Sequence, residues 1–212
     1  MTPQLNSPTN SPNNKQSRSL TSTFLAFGLP VILLGVGLAL WFGRPSEGPQ
    51  FSDFTLQSAT GPVRLSDFEG KVVALNFGYA SCPDICPMTL QNVGSAFKRL
   101  TPEERARVAG LFISIDPERD TPGHLAEYTR FFDPLIVGVT GTPEQLAPIA
   151  ADWGVGYRRV EQPDSKLGYV MDHGTLLYLV GPDGEMVTAL PHGAPPDLLV
   201  GELRSILADP ER

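Results

Sequence analysis

The run Cys82-Pro83-Asp84-Ile85-Cys86-Pro87 carries the only two cysteines of this 212-residue chain. Shortly before it, residues 72–77 form the apolar run VVALNF, which predicts a buried β-strand. The residues after it, 88–100, predict a helix. Both sulfurs therefore fall on a strand-to-helix turn, where free N–H groups and the positive end of the helix dipole lower the pKa of a thiol.

The spacing of the two cysteines limits their chemistry. If the segment is helical, residues four apart share a face with Cβ atoms about 5–6 Å apart, so both sulfurs can hold one metal ion. A disulfide is at the edge of reach, because its Cα atoms must lie within about 7 Å. A purely stabilising disulfide is the weaker interpretation, since so short a loop constrains the unfolded chain little. We expect the pair to switch among dithiol, disulfide and metal-bound forms.

Composition excludes some classes of function. The formal net charge of −7 argues against a nucleic-acid partner, because such binding requires a basic surface. Two cysteines are too few for a small domain held together by disulfides. The charge is compatible with cationic partners, including metal ions, but does not require them.

The N-terminal region predicts a membrane anchor. Residues 1–20 are rich in Asn, Pro, Ser and Thr and predict a disordered cytoplasmic tail. Residues 21–43 contain an uncharged apolar run long enough to cross a bilayer as one helix, and residues 44–52 predict a linker. A cleaved signal peptide and a helix of a soluble core are the weaker alternatives.

The charges around the apolar run predict its orientation. Lys15 and Arg18 precede the run, so the positive-inside rule places the N-terminus in the cytoplasm. The rest of the chain would then lie on the periplasmic side of a bacterial inner membrane. That compartment is oxidising, and a dithiol there needs a reductant or a metal to stay reduced.

Residues 53–209 predict one α/β domain with a mixed central sheet and an N-terminal β-hairpin. Apolar runs, turn residues and helix caps alternate along it. We expect a polar loop before His173. The predicted elements are a hairpin at 53–65, strands at 72–77, 108–115 and 135–139, helices at 88–100, 121–132, 142–153 and 196–208, and a hairpin at 176–190.

His173 is the candidate third group, at the start of the predicted hairpin strand. Two thiolates and an imidazole suit Cu(I), and with a further donor they could hold Cu(II) or zinc. Structural zinc normally takes four protein ligands, and no fourth is evident in the sequence. From the spacing alone, a metal ligand and an ordinary satisfied histidine are equally good interpretations.

Other polar and sulfur side chains have simpler interpretations. Core packing is preferred over copper contact for two methionines, and exposure to solvent over ligation for two histidines. Two aspartates at the carboxyl end of a strand could accept hydrogen bonds from the site or complement a helix dipole. These residues are Met88, Met171, His124, His192, Asp116 and Asp120.

Three motifs in this order resemble the SCO/SenC family of copper-binding assembly factors for cytochrome c oxidase, within the thioredoxin superfamily. They are Cys82-x-x-x-Cys86-Pro87, Asp116-Pro-x-x-Asp120-Thr-Pro and Asp172-His173, and the resemblance covers residues 51–208. It implies a thioredoxin-like fold in which Cys82, Cys86 and His173 bind a copper ion. Ala80 and Gly174 depart from the residues usual in the family and could alter the surroundings of the ligands.

The resemblance implies a partner and leaves two functions open. The partner would be the copper-bearing subunit of the oxidase or another copper carrier, and we expect the protein to be a monomer. One function is a membrane-anchored copper chaperone; the alternative is a thiol-disulfide reductase that keeps the oxidase copper-site cysteines reduced. A copper or redox sensor is a weaker third hypothesis. Whether the protein is an enzyme stays open, with a metallochaperone preferred.

Overall fold

The computed structural model describes residues 53–209. The predicted tail at 1–20, anchor at 21–43 and linker at 44–52 lie outside the described residues. Among the helices of the described part, none is long and apolar enough to span a bilayer.

Strands and helices alternate along most of the described chain, as predicted. The strands are β1 (Thr55–Ser58), β2 (Gly61–Arg64), β3 (Val72–Gly78), β4 (Val108–Ser114), β5 (Ile136–Val139), β6 (Tyr157–Gln162), β7 (Gly168–His173), β8 (Leu177–Val180) and β9 (Met186–Leu190). The helices are α1 (Ile85–Phe97), α2 (Pro102–Ala106), α3 (Pro122–Phe132), α4 (Pro143–Asp152) and α5 (Pro196–Ala208), with a short 3-10 helix at Leu65–Phe68.

The central sheet is mixed, which confirms the prediction. Its five strands lie in the order β5-β4-β3-β8-β9. β3 pairs in parallel with β4 and antiparallel with β8. The predicted N-terminal hairpin is also present, with β1 and β2 joined by a two-residue turn at Ala59 and Thr60. Parallel strands joined by helices are buried on both faces, which is why every residue of β3 and β4 is buried and nearly all of them are apolar.

Successive side chains of β3 lie on opposite faces of the sheet. Ala74 lies in a core shared with α1, α3 and α5, while Leu75 and Phe77 lie in a second core beneath α4. This division follows from the two-residue period of a strand. The carboxyl end of β3 thereby leads directly into the cysteine turn, at the edge of the sheet where α/β proteins place their sites.

Helix α1 begins earlier than predicted. It starts at Ile85, so Cys86 lies in its first turn and Cys82 lies before it. The condition under which both cysteines would share one helical face is therefore not met. The turn itself, rather than the helical repeat, brings the two residues together.

A second hairpin occupies the region predicted as a polar loop. β6 and β7 pair in antiparallel fashion and form their own two-stranded sheet. His173 is therefore the last residue of β7, and not the first residue of the following hairpin strand. The prediction was wrong because β6, with the sequence YRRVEQ, buries none of its residues fully and shows no apolar alternation.

Helix α2 was also missed, although the sequence contains its start signal. Thr101 and Glu104 form a reciprocal capping box, and Pro102 occupies the first helical position. This combination is a known mark of a helix start. The helix buries none of its residues, so no apolar stripe accompanied the signal.

Candidate metal and thiol site

Cys86 is held in the core beneath the end of β3. Its side chain is only 1% exposed. The space for its sulfur exists because residue 78 is glycine: a Cβ on Gly78 would lie 2.7 Å from Cys86 Sγ and 2.8 Å from the Phe112 ring. The close approach of β3 and α1 at this point thus depends on a missing side chain.

Cys82 is a partly exposed thiol with a strongly lowered pKa. Both cysteines are free. The thiol of Cys86 donates a hydrogen bond to Cys82, and the backbone N–H groups of Cys86, Asp84 and Ile85 also donate to it. Although burial opposes them, these donors lower the pKa of Cys82 to about 5. The Cys86 thiol makes the largest contribution, and the free amides at the start of α1 add the expected effect of a helix N-terminus.

The pKa of Cys86 moves in the opposite direction. Its thiol is the donor to Cys82, and both burial and the negative charge of Cys82 disfavour a second thiolate. The carboxylate of Asp120 adds further repulsion. The two sulfurs therefore share one proton near neutral pH, and Cys82 carries the negative charge.

His173 faces Cys86 across the site. Its Nε2 lies 3.8 Å from Cys86 Sγ, and its Nδ1 lies 2.6 Å from the carbonyl oxygen of Gly174. A carbonyl oxygen can only accept, so Nδ1 donates this hydrogen bond, and in the neutral ring the lone pair is then on Nε2, the nitrogen that faces the sulfur. Histidine ligands of metals are oriented in the same way, by a hydrogen bond from the other ring nitrogen.

The distance between this nitrogen and sulfur fits a shared metal ion. With metal–sulfur and metal–nitrogen bonds of about 2.3 and 2.0 Å, two ligands of one metal lie about 3.5–3.7 Å apart. The observed 3.8 Å is close to this range. Within residues 53–209, no three His, Cys, Asp or Glu side chains are already closed around one point. Two of the three pairs of proposed ligands are in contact, Cys82 with Cys86 and Cys86 with His173.

Asp120 anchors the loop that precedes Cys82. Its carboxylate is fully buried, and its Oδ2 accepts hydrogen bonds from the backbone N–H of Ala80 at 2.8 Å and from Ser114 Oγ at 2.6 Å. Asp116 instead accepts hydrogen bonds from Tyr169 and Arg119. The two aspartates, which sequence reasoning treated alike, therefore hold different parts of the site.

The structure also places the two methionine and two histidine candidates. Met171 packs against both cores, which confirms its prediction. Met88 is 38% exposed, so its predicted core role is wrong. It lies at the surface beside Gly193, which has no side chain to cover it. His124 and His192 are exposed, as expected.

Tyr79 is a site residue that sequence reasoning missed. Its ring meets the His173 ring edge-on, with centroids 5.9 Å apart, and its hydroxyl donates a hydrogen bond to the Cys82 sulfur. Burial and the nearby charge of Cys82 raise the pKa of Tyr79 to about 12. Its position between strand and cysteine turn was the only signal in the sequence.

The fold and site define a thioredoxin-like domain with a Cys-x₃-Cys pair and a facing histidine. The SCO1/SenC family profile matches residues 44–208. The chain belongs to this family.

Among curated relatives, a mitochondrial SCO2 homologue from Bos taurus is 40% identical over 134 residues, which cover 62% of this chain and 50% of that protein. The chain thus spans about half the length of the relatives it matches first. Two solved structures confirm the fold. Copper-bound ScoI from Arabidopsis thaliana has 33% identity and a TM-score of 0.69, covering 75% of this chain and 99% of that one. Apo Sco1 from Thermus thermophilus has 35% identity and a TM-score of 0.68, covering 76% and 93%.

The lowered pKa of Cys82 predicts selective alkylation. At about pH 6 the Cys82 thiolate should react with iodoacetamide about five to ten times faster than free cysteine, because its larger thiolate fraction outweighs its lower intrinsic nucleophilicity. The rate should stay level above pH 6 and fall as the pH drops through about 5, where Cys82 becomes protonated. Mass spectrometry of the peptide that contains Cys82 measures its alkylation rate at each pH, with free cysteine as the reference. A Cys82 rate that keeps rising between pH 7 and 9, like that of free cysteine, would contradict the assignment.

Proposed function

We propose that this protein is a membrane-anchored copper chaperone that assists assembly of the copper site of cytochrome c oxidase. It would hold copper through Cys82, Cys86 and His173. The observation that carries the proposal is the placement of His173 Nε2 at 3.8 Å from the buried sulfur of Cys86. An ordinary thiol pair needs no imidazole facing it.

The donor types support copper over harder metals. Thiolate and imidazole ligands suit Cu(I), whereas carboxylate and carbonyl oxygens suit magnesium and calcium. The relative from Arabidopsis thaliana has been solved with copper bound, and those from Bradyrhizobium japonicum and yeast likewise. Membership of the same family makes copper the first metal to test here.

The different exposure of the two sulfurs suggests an order of ligand exchange. Cys82 is partly exposed and already a thiolate at neutral pH, so incoming copper would meet it first. Cys86 would follow on losing its proton. His173 borders an open groove, so its nitrogen is accessible to an exchanging ligand; the groove is lined by Gly156, Tyr157, Arg158, Asp172, His173 and Gly174. A recipient could then replace the three donors one at a time.

The cellular setting belongs to the same proposal. The protein would be a single-pass protein of the bacterial inner membrane, with residues 53–209 on the periplasmic side. Its partner would be the copper-bearing oxidase subunit or another copper carrier. It would act as a monomer and would not bind nucleic acid, consistent with its net charge of −7.

Competition with a Cu(I) chelator tests the proposal, using the reduced protein and His173→Ala. We expect one tightly held copper per chain. Removing His173 should weaken the affinity about tenfold to a hundredfold, or about 1.4–2.8 kcal/mol. His192→Ala is the matched control, since His192 is exposed and its side chain hydrogen-bonds to Thr175. This variant should bind copper like wild type. Full affinity in His173→Ala would count against this histidine as a ligand.

A thiol-disulfide reductase is the second candidate, supported by the shared proton of the cysteine pair. The Cys82 thiolate would attack a partner disulfide, form a mixed disulfide and release one partner thiolate. Cys86, after losing its proton, would attack the Cys82 sulfur and release the second partner thiolate. The partner gains two electrons, and Cys82 and Cys86 end as a disulfide. This function does not need His173, so His173→Ala should leave the exchange rate unchanged.

A further inference from the structure

Arg119 joins the loop after β4 to the hairpin that carries His173. Its Nε donates to Asp116 Oδ2 at 2.5 Å. Its Nη1 donates to the carbonyl oxygens of Leu167 at 3.3 Å and Tyr169 at 3.1 Å. One guanidinium thus bridges a carboxylate at the sheet edge and two backbone carbonyls at the start of β7.

Tyr169 makes the same connection from the opposite direction. Its hydroxyl donates to Asp116 Oδ1 at 2.7 Å, and its ring lies 3.7 Å from the guanidinium carbons of both Arg119 and Arg159. Tyr169 is 8% exposed and Asp116 is 3% exposed. Because these groups are shielded from water, their hydrogen bonds and cation–π contacts are stronger than they would be at the surface.

The hairpin needs such an attachment. β6 and β7 form a separate two-stranded sheet, and a two-stranded hairpin alone is marginally stable in water. Tyr169, Met171 and His173 are two residues apart and share one face of β7. Contacts that hold Tyr169 near the start of β7 therefore fix the direction of this strand, and His173 lies at its other end.

The cysteine turn is held by different contacts. Asp120 binds the backbone of Ala80 and the hydroxyl of Ser114. Within residues 53–209, neither Arg119 nor Tyr169 hydrogen-bonds to a cysteine. Loosening the hairpin should therefore displace the imidazole and leave the dithiol in place.

We propose that Asp116, Arg119 and Tyr169 form a clasp that positions His173 over Cys86. They are positioning residues, which act on the site through the β6–β7 hairpin; Arg119 also contacts the Tyr79 ring, with its guanidinium carbon 5.6 Å from the ring centroid. The consequence for copper rests on the proposed function, but the placement of His173 itself does not require copper. The clasp thus decides whether the site offers two sulfurs alone or two sulfurs and a nitrogen.

The first test needs no metal. Amide hydrogen exchange, followed by NMR on the reduced protein, measures local opening of β7. Arg119→Met should speed the exchange of β7 amides at least about tenfold, since local opening reports local stability. Tyr169→Phe removes only one hydroxyl and should give a smaller increase in the same amides. Arg158→Met is the matched control on the same hairpin, because its ion pair with Asp172 is exposed. Unchanged β7 exchange in both clasp variants, or equal acceleration throughout the domain, would overturn the proposal.

The second test asks whether the clasp acts through His173. Arg119→Met should weaken Cu(I) binding about tenfold in the wild-type background and hardly at all in the His173→Ala background. In Tyr169→Phe, which leaves Arg119 beside the Tyr79 ring, the alkylation rate of Cys82 and the potential of the dithiol should stay at their wild-type values. Equal losses in both backgrounds would overturn the proposal. If wild-type protein binds no copper, the proposed function fails, while the hydrogen-exchange result still decides the clasp.

Discussion

Replacing Cys86 with alanine is expected to lower the affinity of the reduced protein for Cu(I) at least about a thousandfold. Loss of a residue that only hydrogen-bonds to a metal ligand typically costs about ten- to a hundredfold, and the loss of a ligand itself should cost more. The variant keeps one thiolate and one imidazole. It also removes the thiol that donates to Cys82, which is the largest cause of the lowered pKa there. The remaining sulfur is then protonated more often at neutral pH and competes less well for the metal. Chelator competition measures the loss.

Ser81→Ala is the matched control, because it truncates a neighbouring side chain by one atom in the same turn. It should bind copper as wild type does. Cys86→Ala should still fold, which thermal unfolding followed by circular dichroism will show, and it should lose all dithiol–disulfide cycling. Retention of copper affinity within tenfold of wild type would remove Cys86 from the ligand set.

Replacing Phe112 with alanine is expected to lower the free energy of unfolding by about 3–5 kcal/mol, the usual cost of truncating a buried phenylalanine. Phe112 is 0% exposed, and its ring lies against Gly78 where the Cys86 sulfur also sits. It further contacts the Tyr128 ring, with centroids 5.7 Å apart. The cavity would open directly beside the buried thiol. Urea unfolding measures the change in free energy, and the melting temperature should fall by about 10 °C.

Phe131→Ala provides the comparison, since it makes the same truncation on α3 at a side chain that is 80% exposed. Its effect should stay within about 0.5 kcal/mol, as for most surface substitutions. Similar losses in the two variants would show that the core beneath the cysteine turn contributes less than its burial indicates. If only Phe112→Ala lowers the free energy of unfolding, the packing around the Cys86 sulfur is important for the stability of the domain.

Most elements could be predicted because their signals are local. The apolar run at 72–77 became β3, and Thr121 with Pro122 marked the start of α3, where the Thr121 hydroxyl accepts from the backbone N–H of His124. The β6–β7 hairpin could not be predicted in this way. Its attachment uses arginines, tyrosines and backbone carbonyls, which leave no apolar period in the sequence.

The sequence by itself determined the α/β order, the mixed sheet and the position of both cysteines at a helix start. It also determined the lowered pKa of Cys82, because the Cys86 thiol and the helix amides that cause it are neighbours of Cys82 in the chain. Only the tertiary structure decided that His173 faces Cys86, from which it is separated by 87 positions in sequence. That placement depends on contacts between β7 and the loop after β4, and no local pattern encodes a distance between segments so far apart.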